Sequence, residues 1–450
     1  MSKPKTPVVQ SSVPKPKTIE LVNRNLAKRY RAEKRFRLYG VVSIGFGLLC
    51  LVMLFTDIIG KGYSAFLQTY IALDINFDTA LMDIDDLDDE RQLNLANYDG
   101  LIKKALRARF PDVRNRREKR ALYSLVSNGA GFMLQKQFRA RPREYAGRTL
   151  KLWLPADDDV DVYIKHYHAK ADNSAGDVPV AEAAFKGRLS ETQVGWIKAL
   201  IADKAVEKRF NTIFFTAGDS REPELAGIHG AIMGSLFTLL VTLVLSFPIG
   251  VAAALYLEEY TQRSRLADFI EVNINNLAAV PSIIFGLLGL AIFINFFEMP
   301  RSIPLVGGIV LTLMTLPTII ISSRAAIKAV PPSIREAAFG IGASKMQVIL
   351  HHVLPLAMPG MLTGASIGMA QALGETAPLL MIGMVAFIVD VPGAVNDPAT
   401  VLPVQIFLWS DSPERAFVER TSAAIMVLLG FLIIMNTLAV WLRKRLERRW

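Results

Sequence analysis

Residues Pro331 to Pro355 read P-P-S-I-R-E-A-A-F-G-I-G-A-S-K-M-Q-V-I-L-H-H-V-L-P. This polar, helix-capable stretch lies between two long apolar runs, and its reading places the rest of the chain. Pro331 and Pro332 cannot continue a preceding helix. Ser333, with Glu336 three residues later, is a capping box that starts a new one. Gly340 and Gly342 permit a sharp turn, Ser344 can cap a second short helix, and Pro355 closes it. The segment is therefore predicted to be a cytoplasmic helix-turn-helix carried between membrane spans.

Composition bounds the class. Hydrophobic residues make up 52% of the 450, with positive mean hydropathy, which points to a membrane protein. Charged residues are still 20%, more than a bundle of pure spans holds, so a soluble part is expected. The net charge of +10 raises nucleic acid as a partner, but the basic residues gather beside apolar runs, as positive-inside topology requires. No nucleic-acid binding is predicted. Cys50 is the one cysteine, so neither a disulfide framework nor a cysteine metal site is available.

Residues 1–40 form a basic cytoplasmic tail, disordered to about residue 18 and then helix-capable from Ile19 to Arg37. That basic segment reads as an amphipathic helix on the inner membrane surface or, more plainly, as a topological anchor. Residues 41–60 make a first transmembrane anchor, since Val41 to Ile59 is long enough to cross an apolar core of ~30 Å. Residues 61–226 are predicted to be a mixed α/β extracytoplasmic domain. It has strand-like pieces at Leu150–Leu154 and Val160–Ile164 and a helix over Glu191–Phe210.

The acidic run Asp83 to Glu90, the triplet Asp157-Asp158-Asp159 and the pair His166 and His168 lack recognisable ligand spacing. They read as solvated faces, and no metal is expected.

Residues 227–442 are a transmembrane domain, with spans at Ile228–Leu257, Pro281–Phe296, Leu305–Ser323, Met358–Ile388 and Thr421–Leu442. Phe269–Leu277 reads as an interfacial helix. Residues 443–450 are a basic cytoplasmic end. With the anchor, this gives roughly six helices, both termini inside, and every short Lys/Arg-rich loop on one side.

Two constellations carry chemistry. No G-x-x-x-x-G-K-[ST] occurs, so nucleotide phosphates are not cradled here in the P-loop manner. The second constellation is Ala372-Leu373-Gly374-Glu375-Thr376-Ala377-Pro378-Leu379-Leu380. A carboxylate inside a span costs ~2.5 kcal/mol or more, so Glu375 should face a cavity or a cation. Gly374 and Pro378 suggest a broken helix whose new N-terminus is capped by Thr376 and suits an anion. The plainer reading is a Glu that bonds a neighbouring helix.

Glu336, Ala337, Ala338, Gly342, Leu354 and Pro355 stand in the register of the EAA loop of ABC importer permeases, which this segment resembles; His352 stands where that pattern usually has Ile. An ordinary amphipathic connector is the alternative. The G-E-T-A-P-L-L string, with Asn275 to Leu287 (N-N-L-A-A-V-P-S-I-I-F-G-L), resembles the A-type permease subunit of phosphate-specific (Pst) importers. The resemblance covers about the last half of the chain. It implies an α-helical integral membrane protein of the type I importer fold in a bacterial inner membrane, carrying inorganic phosphate. The implied partners are a pair of ATPase subunits, a second homologous permease, a periplasmic phosphate-binding protein and membrane lipid. ATP and Mg²⁺ would then belong to the ATPase, leaving this chain without catalytic residues or cofactor.

Many relatives carry Arg where this chain has Gln371, so the missing cation must come from elsewhere. Arg324 is the nearest candidate by topology, with Lys328 behind it; the plainer reading makes inner-boundary anchors of both, and for Lys328 that reading is preferred. An importer of sulfate or molybdate is the first alternative. A membrane sensor is another, but it expects an inner output domain that residues 443–450 do not supply. A secondary transporter would show repeated halves, and none is found.

Overall fold

The computed structural model describes residues 18–165, 189–261, 265–385, 387–414 and 416–446. His166 and His168 lie outside them. The chain divides into two compact units, Met1–Ile58 and Ile59–Trp450. Most of the first is helix α1 (Thr18–Gly62). Every residue from Val41 to Asp57 on it is exposed. Bare apolar surface costs about 25 cal/mol per Å² in water, a cost that lipid removes.

The second unit begins with an antiparallel sheet of order β2-β1-β3: β1 (Leu67–Asn76), β2 (Thr149–Pro155) and β3 (Val206–Phe210). Tyr70 lies opposite Pro155 and Asn76 opposite Thr149, while Leu67 faces Phe210 and Ile71 faces Val206. Gln68 to Leu73 are buried without alternation, because the central strand is covered on both faces. Helices α2 (Tyr98–Arg109), α3 (Arg116–Tyr123) and α4 (Ala130–Ala140) supply Leu101, Leu106, Leu122, Leu134 and Phe138 to its core.

Two expectations fail in this part. Val160 to Ile164 is not a strand but belongs to α5 (Asp158–Tyr163) and the residue that follows it. Asp157 caps α5 by accepting from the Asp159 N–H, and Asp158, Asp159 and Asp161 load its first turn with charge that suits the helix N-terminus. The helix expected over Glu191–Phe210 stops earlier, as α6 (Glu191–Ala202), after which Lys204 turns the chain at φ 54° into β3.

Beyond it lies a helical bundle: α7 (His229–Leu255), α8 (Arg265–Ala278), α9 (Ser282–Gly289), α10 (Pro304–Lys328), α11 (Pro332–Gly340), α12 (Leu354–Gly374), α13 (Ala377–Met381), α14 (Leu402–Ser410) and α15 (Ala416–Leu446). Among the described residues, five helical runs are long and apolar enough to cross a membrane: Lys28–Phe66, His229–Tyr260, Pro304–Lys328, Lys345–Gly374 and Ala416–Leu446. The pair Arg265–Ala278 and Ser282–Phe296, bent by 99°, makes six if it counts as one span. The run expected over Met358–Ile388, with an interruption at Gly374–Pro378, does break there, its first helix ending at Gly374, and the second piece is shorter than expected, ending at Met381. Glu375 is extended at the break (φ −79°, ψ 128°), and Pro378 cannot donate back into a continuing helix.

Helix α10 is the most enclosed of these runs, and glycines on it and its neighbours make that possible. A Cβ on Gly308 would lie 2.5 Å from Val241 Cβ and 2.9 Å from the Thr238 carbonyl oxygen of α7. One on Gly250 would meet Ile319 Cγ2 at 2.6 Å, and one on Gly364 would meet Ser322 Cβ at 2.4 Å. Thr242 Oγ1 donates to the Gly308 carbonyl at 3.2 Å across the α7–α10 contact. Such close backbone approach drives helix association where lipid removes the hydrophobic incentive.

Gly308→Val should therefore cost roughly 1–3 kcal/mol by overpacking. Thermal melting in detergent checks this, with Gly430→Ala, where a Cβ meets nothing within 4 Å, expected to melt like the parent protein.

Candidate functional site

The Pro331–Pro355 segment is two helical pieces around a turn, but its caps differ from the sequence reading. Helix α11 starts at Pro332 with Pro331 in the cap position and no side-chain cap, so the Ser333–Glu336 box does not form. The Ser344 cap does form, and as a full box with Gln347: the Gln347 N–H donates to Ser344 Oγ at 3.4 Å and the Ser344 N–H to Gln347 Oε1 at 2.8 Å. Gly342 has φ +86°, and a Cβ there would meet nothing within 4 Å. Its glycine is required by conformation, not by closeness of another backbone.

Pro355 does not close the second helix. The helix runs unbroken from Lys345 to Gly374, with a π-helical turn over Val348–Val353 just before the proline. A widened turn of this kind accommodates an amide that cannot donate.

Ala338 is buried with Val348, Val353 and Ala357, which seats α11 on the start of α12. Glu336 and Ala337 are exposed and Leu354 and Pro355 half-buried. Phe339 (50%) and Ile341 (82%) are apolar side chains left exposed at the turn.

A group of ion pairs fixes this segment to the bundle. Arg335 on α11 donates to Glu259 Oε1 at 2.8 Å, to the Val330 carbonyl at 2.7 Å and to the Ile327 carbonyl at 3.0 Å. Arg324 donates to Glu258 at 2.5 Å and to Glu271 at 2.9 Å, and Lys328 approaches Glu258 at 3.4 Å. The Arg324 and Glu258 side chains are only 14% and 11% exposed. The sequence reading treated Glu258 and Glu259 only as markers of a span end and passed over Arg335.

Arg324 is thereby removed as the cation for Glu375. The antiparallel contact of Gly364 with Ser322 sets Arg324 near the level of residue 362. Glu375 is thus about 20 Å further along the axis at 1.5 Å per residue.

Glu375 follows the last turn of α12. It is half-buried, and among the described residues its carboxylate has no hydrogen bond or ion pair. Gln371, one turn earlier on the same helix, is exposed, and a Cβ on Gly374 would meet nothing within 4 Å, so this face is open. Thr376 occupies the cap position of α13 without making a side-chain cap bond. With only five residues, α13 is too short to offer the anion site expected of a half-helix.

The structure does bring together the two strings that the sequence singled out. A Cβ on Gly286 would lie 2.6 Å from Pro378 Cα and 2.9 Å from Met381 Cβ. The 99° bend between α8 and α9, at Pro281, is thus laid against the break between α12 and α13.

Outside the bundle, Asp157, Asp158 and Asp159 are not the solvated face expected. All three are half-buried, and carboxylate oxygens from each lie within 4.8 Å of one another. Burial, then the charges of Asp158 and Glu224, push Asp157 up to about 8. Glu224 is 3% exposed, and burial pushes it up to about 7 against the opposing hydrogen bond from Ser127. Glu224 lies far along the chain from the triplet, so no local spacing could have joined them.

Residues 246–450 match the family described as binding-protein-dependent transport system inner membrane component, and residues 23–173 a domain of unknown function (DUF3333). The chain is 30% identical over 223 residues to the phosphate transport system permease protein PstA 1 of Mycobacterium tuberculosis, covering 50% of this chain and 72% of that protein. It is 29% identical over 244 residues to PstA of Yersinia pestis (54% and 81%). It is 27% identical over 243 residues to the probable ABC transporter permease protein YqgI of Bacillus subtilis (51% and 82%). Among solved structures, a chain of the inward-facing MetNI methionine ABC transporter aligns over 48% of this chain and 95% of its own, at 19% identity and a TM-score of 0.40.

The buried carboxylates set a pH dependence. Unfolded, Asp157 and Glu224 titrate near 3.8 and 4.5; folded, near 8 and 7. Between those values the folded chain holds protons that the unfolded chain has lost, so stability falls as pH rises. In metal-free buffer the melting temperature should drop from about pH 5 to about pH 8, and Asp157→Asn should flatten that slope.

Proposed function

Because the chain belongs to the binding-protein-dependent transport inner-membrane components, and within them to the PstA-type permeases, we propose that it forms half of an ATP-driven import pathway for inorganic phosphate. The meeting of the two strings at Gly286 and Pro378, close in the chain to Glu375, which is unpaired among the described residues, carries this reading. The face bearing Gln371 and Glu375 is open, so a second, homologous permease subunit completes the pathway there. That subunit supplies the cation that Gln371 does not.

Glu375 then has a chemical task. A carboxylate accepts a hydrogen bond from a protonated oxyanion, and a fully ionised one offers none. Phosphate carries such a proton near neutrality and sulfate does not, which is what favours phosphate over the sulfate or molybdate alternative.

The loop supplies the mechanical half. Residues Glu336, Ala337, Ala338, Gly342, Leu354 and Pro355 dock on a separate ATPase pair that binds ATP and Mg²⁺, with exposed Phe339 and Ile341 offering apolar contact. The pairs of Arg335 with Glu259 and of Arg324 with Glu258 and Glu271 transmit the movement of α11 to α7, α8 and α10. By the positive-inside rule, the loop and both basic chain ends face the cytoplasm of a bacterial inner membrane, and residues 61–226 face outward, where a binding protein delivers phosphate.

Reconstitution with ATPase and second permease in proteoliposomes tests this. Glu375→Gln should lower phosphate uptake by roughly 10- to 150-fold, as the loss of a hydrogen bond to a charged group worth roughly 1.5–3 kcal/mol implies, with the ATPase still co-purifying. Uptake equal to the parent's would remove Glu375 from the path. Gly342→Val should instead weaken ATPase co-purification, because a β-branched residue is an outlier at positive φ.

A further inference from the structure

We propose that helices α2 and α3 carry a docking strip for an acidic face of the soluble binding protein that delivers substrate to this chain, a proposal that rests on the importer reading above. Between Lys103 and Arg120 stand nine basic residues against two acidic ones, Asp112 and Glu118. Lys104 is paired with Asp78 at 3.0 Å and Arg109 with Asp203 at 2.7 Å. The other seven form no ion pair among the described residues, and all of them except half-buried Lys119 are exposed.

The fold gathers these charges on one surface. Helices α2 and α3 are in contact, and Lys103 Nζ lies 6.0 Å from the centre of the Tyr123 ring. Arg107 follows Lys103 by one turn of α2, while Arg120 and Arg116 precede Tyr123 by one and two turns of α3. The contact of Lys103 with Tyr123 joins the two rows at one end, and the short connection 110–115 joins the helices at the other.

The charges also work against the local structure. Arg116 and Arg117 take the first two positions of α3, where the partial positive charge of a helix N-terminus disfavours cations. Arg116 and Arg120 repel across one turn, as do Lys103 and Arg107. Within this chain nothing offsets that repulsion among the described residues. Sequences break local rules of this kind at functional sites, where a contact made elsewhere compensates.

Charge and position name the occupant. An unpaired basic surface is complemented by carboxylates, and no large apolar side chain between residues 98 and 123 is exposed. A lipid surface is engaged by apolar side chains inserted beside the basic ones, and the strip has none to insert. Its α2 row is also remote from the spans. Lys104 meets Asp78 just past one end of β1, whereas Gln68 at the other end accepts from Arg420 of α15 at 2.8 Å. The strand between them is roughly 25 Å long. The strip is thus presented to a soluble partner, and a surface of this kind speeds encounter more than it tightens the complex.

The complete importer in nanodiscs is mixed with phosphate-loaded binding protein, and association is followed by stopped flow. Arg116→Glu with Arg120→Glu should slow association at least about tenfold at low ionic strength, with little change in dissociation. The difference should largely vanish in about 0.5 M salt. Lys136→Glu with Arg139→Glu, the same charge change on α4, should leave the rate within about twofold of the parent's. ATP hydrolysis without binding protein should match the parent's in both variants, which shows that they assemble. An unchanged rate in the α3 variant, an equal loss in the α4 variant, or an effect seen only on binding to vesicles of anionic phospholipid would each overturn the strip. If phosphate uptake by the parent persists in any of these cases, the importer reading stands without it. A parent complex that neither binds the loaded protein nor takes up phosphate removes both.

Discussion

Helix α10 can be enclosed by its neighbours only where a side chain is missing at each crossing. Gly250, Gly308, Gly360 and Gly364 provide those absences, and a Cβ at any of them would fall 2.6 Å or less from a neighbouring atom. In lipid, where apolar side chains gain nothing by leaving one apolar surface for another, this closeness is itself the attraction. The rest of the bundle hangs from α10. At its start, the Ser302 carbonyl accepts from the Ala399 N–H at 2.7 Å and the Ser302 hydroxyl donates to the Gly383 carbonyl at 2.5 Å, which holds the long segment after α13. At its end, the Arg335 guanidinium takes up its last carbonyls.

That lower end differs in kind from the ion pairs elsewhere. Lys104 and Asp78 in the α/β part are 49% and 37% exposed, and such a pair contributes about 0–1 kcal/mol. Arg324, Glu258 and Glu259 are mostly withdrawn from water, where breaking one partner costs roughly 3–5 kcal/mol because the other charge is left unpaired. Arg335 additionally donates to the Val330 carbonyl and joins the Val330 N–H on the Ile327 carbonyl at the helix end. Tilting α11 away from α10 would break the Arg335 bonds to Glu259 and to the Val330 and Ile327 carbonyls together, so the two move as one.

Local chemistry is what the sequence made legible. The turn at Gly342, the Ser344 cap and the membrane runs were readable because each depends on neighbours within a few residues. The readings that failed needed distant information. Ser333 lost the cap position to Pro331, whose ring had already fixed the helix start. Val160 to Ile164 alternates like a strand, but the acidic first turn and the Asp157 cap outweighed that alternation. Arg324 looked unassigned because Glu271 comes from a helix that only the bend at Pro281 brings beside it. The carboxylate group of Asp157 and Glu224 was invisible for the same reason, as was the contact of Gly286 with Pro378.

The altered position of Glu375 changes the argument for its role. At the centre of a span, a carboxylate would demand a partner to repay its desolvation. At the half-exposed end of α12 that demand is smaller, yet another replaces it. The C-terminal end of a helix carries partial negative charge, which disfavours an anion there. Thr376 makes no compensating cap, and the chain's own cations at Arg324, Lys328 and Arg335 are engaged at the opposite end of α10. A carboxylate so placed is matched most simply by positive charge or a proton donor from outside the chain. In the proposed importer those are the second permease and the protonated oxyanion itself, and the open face at Gln371 is where both arrive.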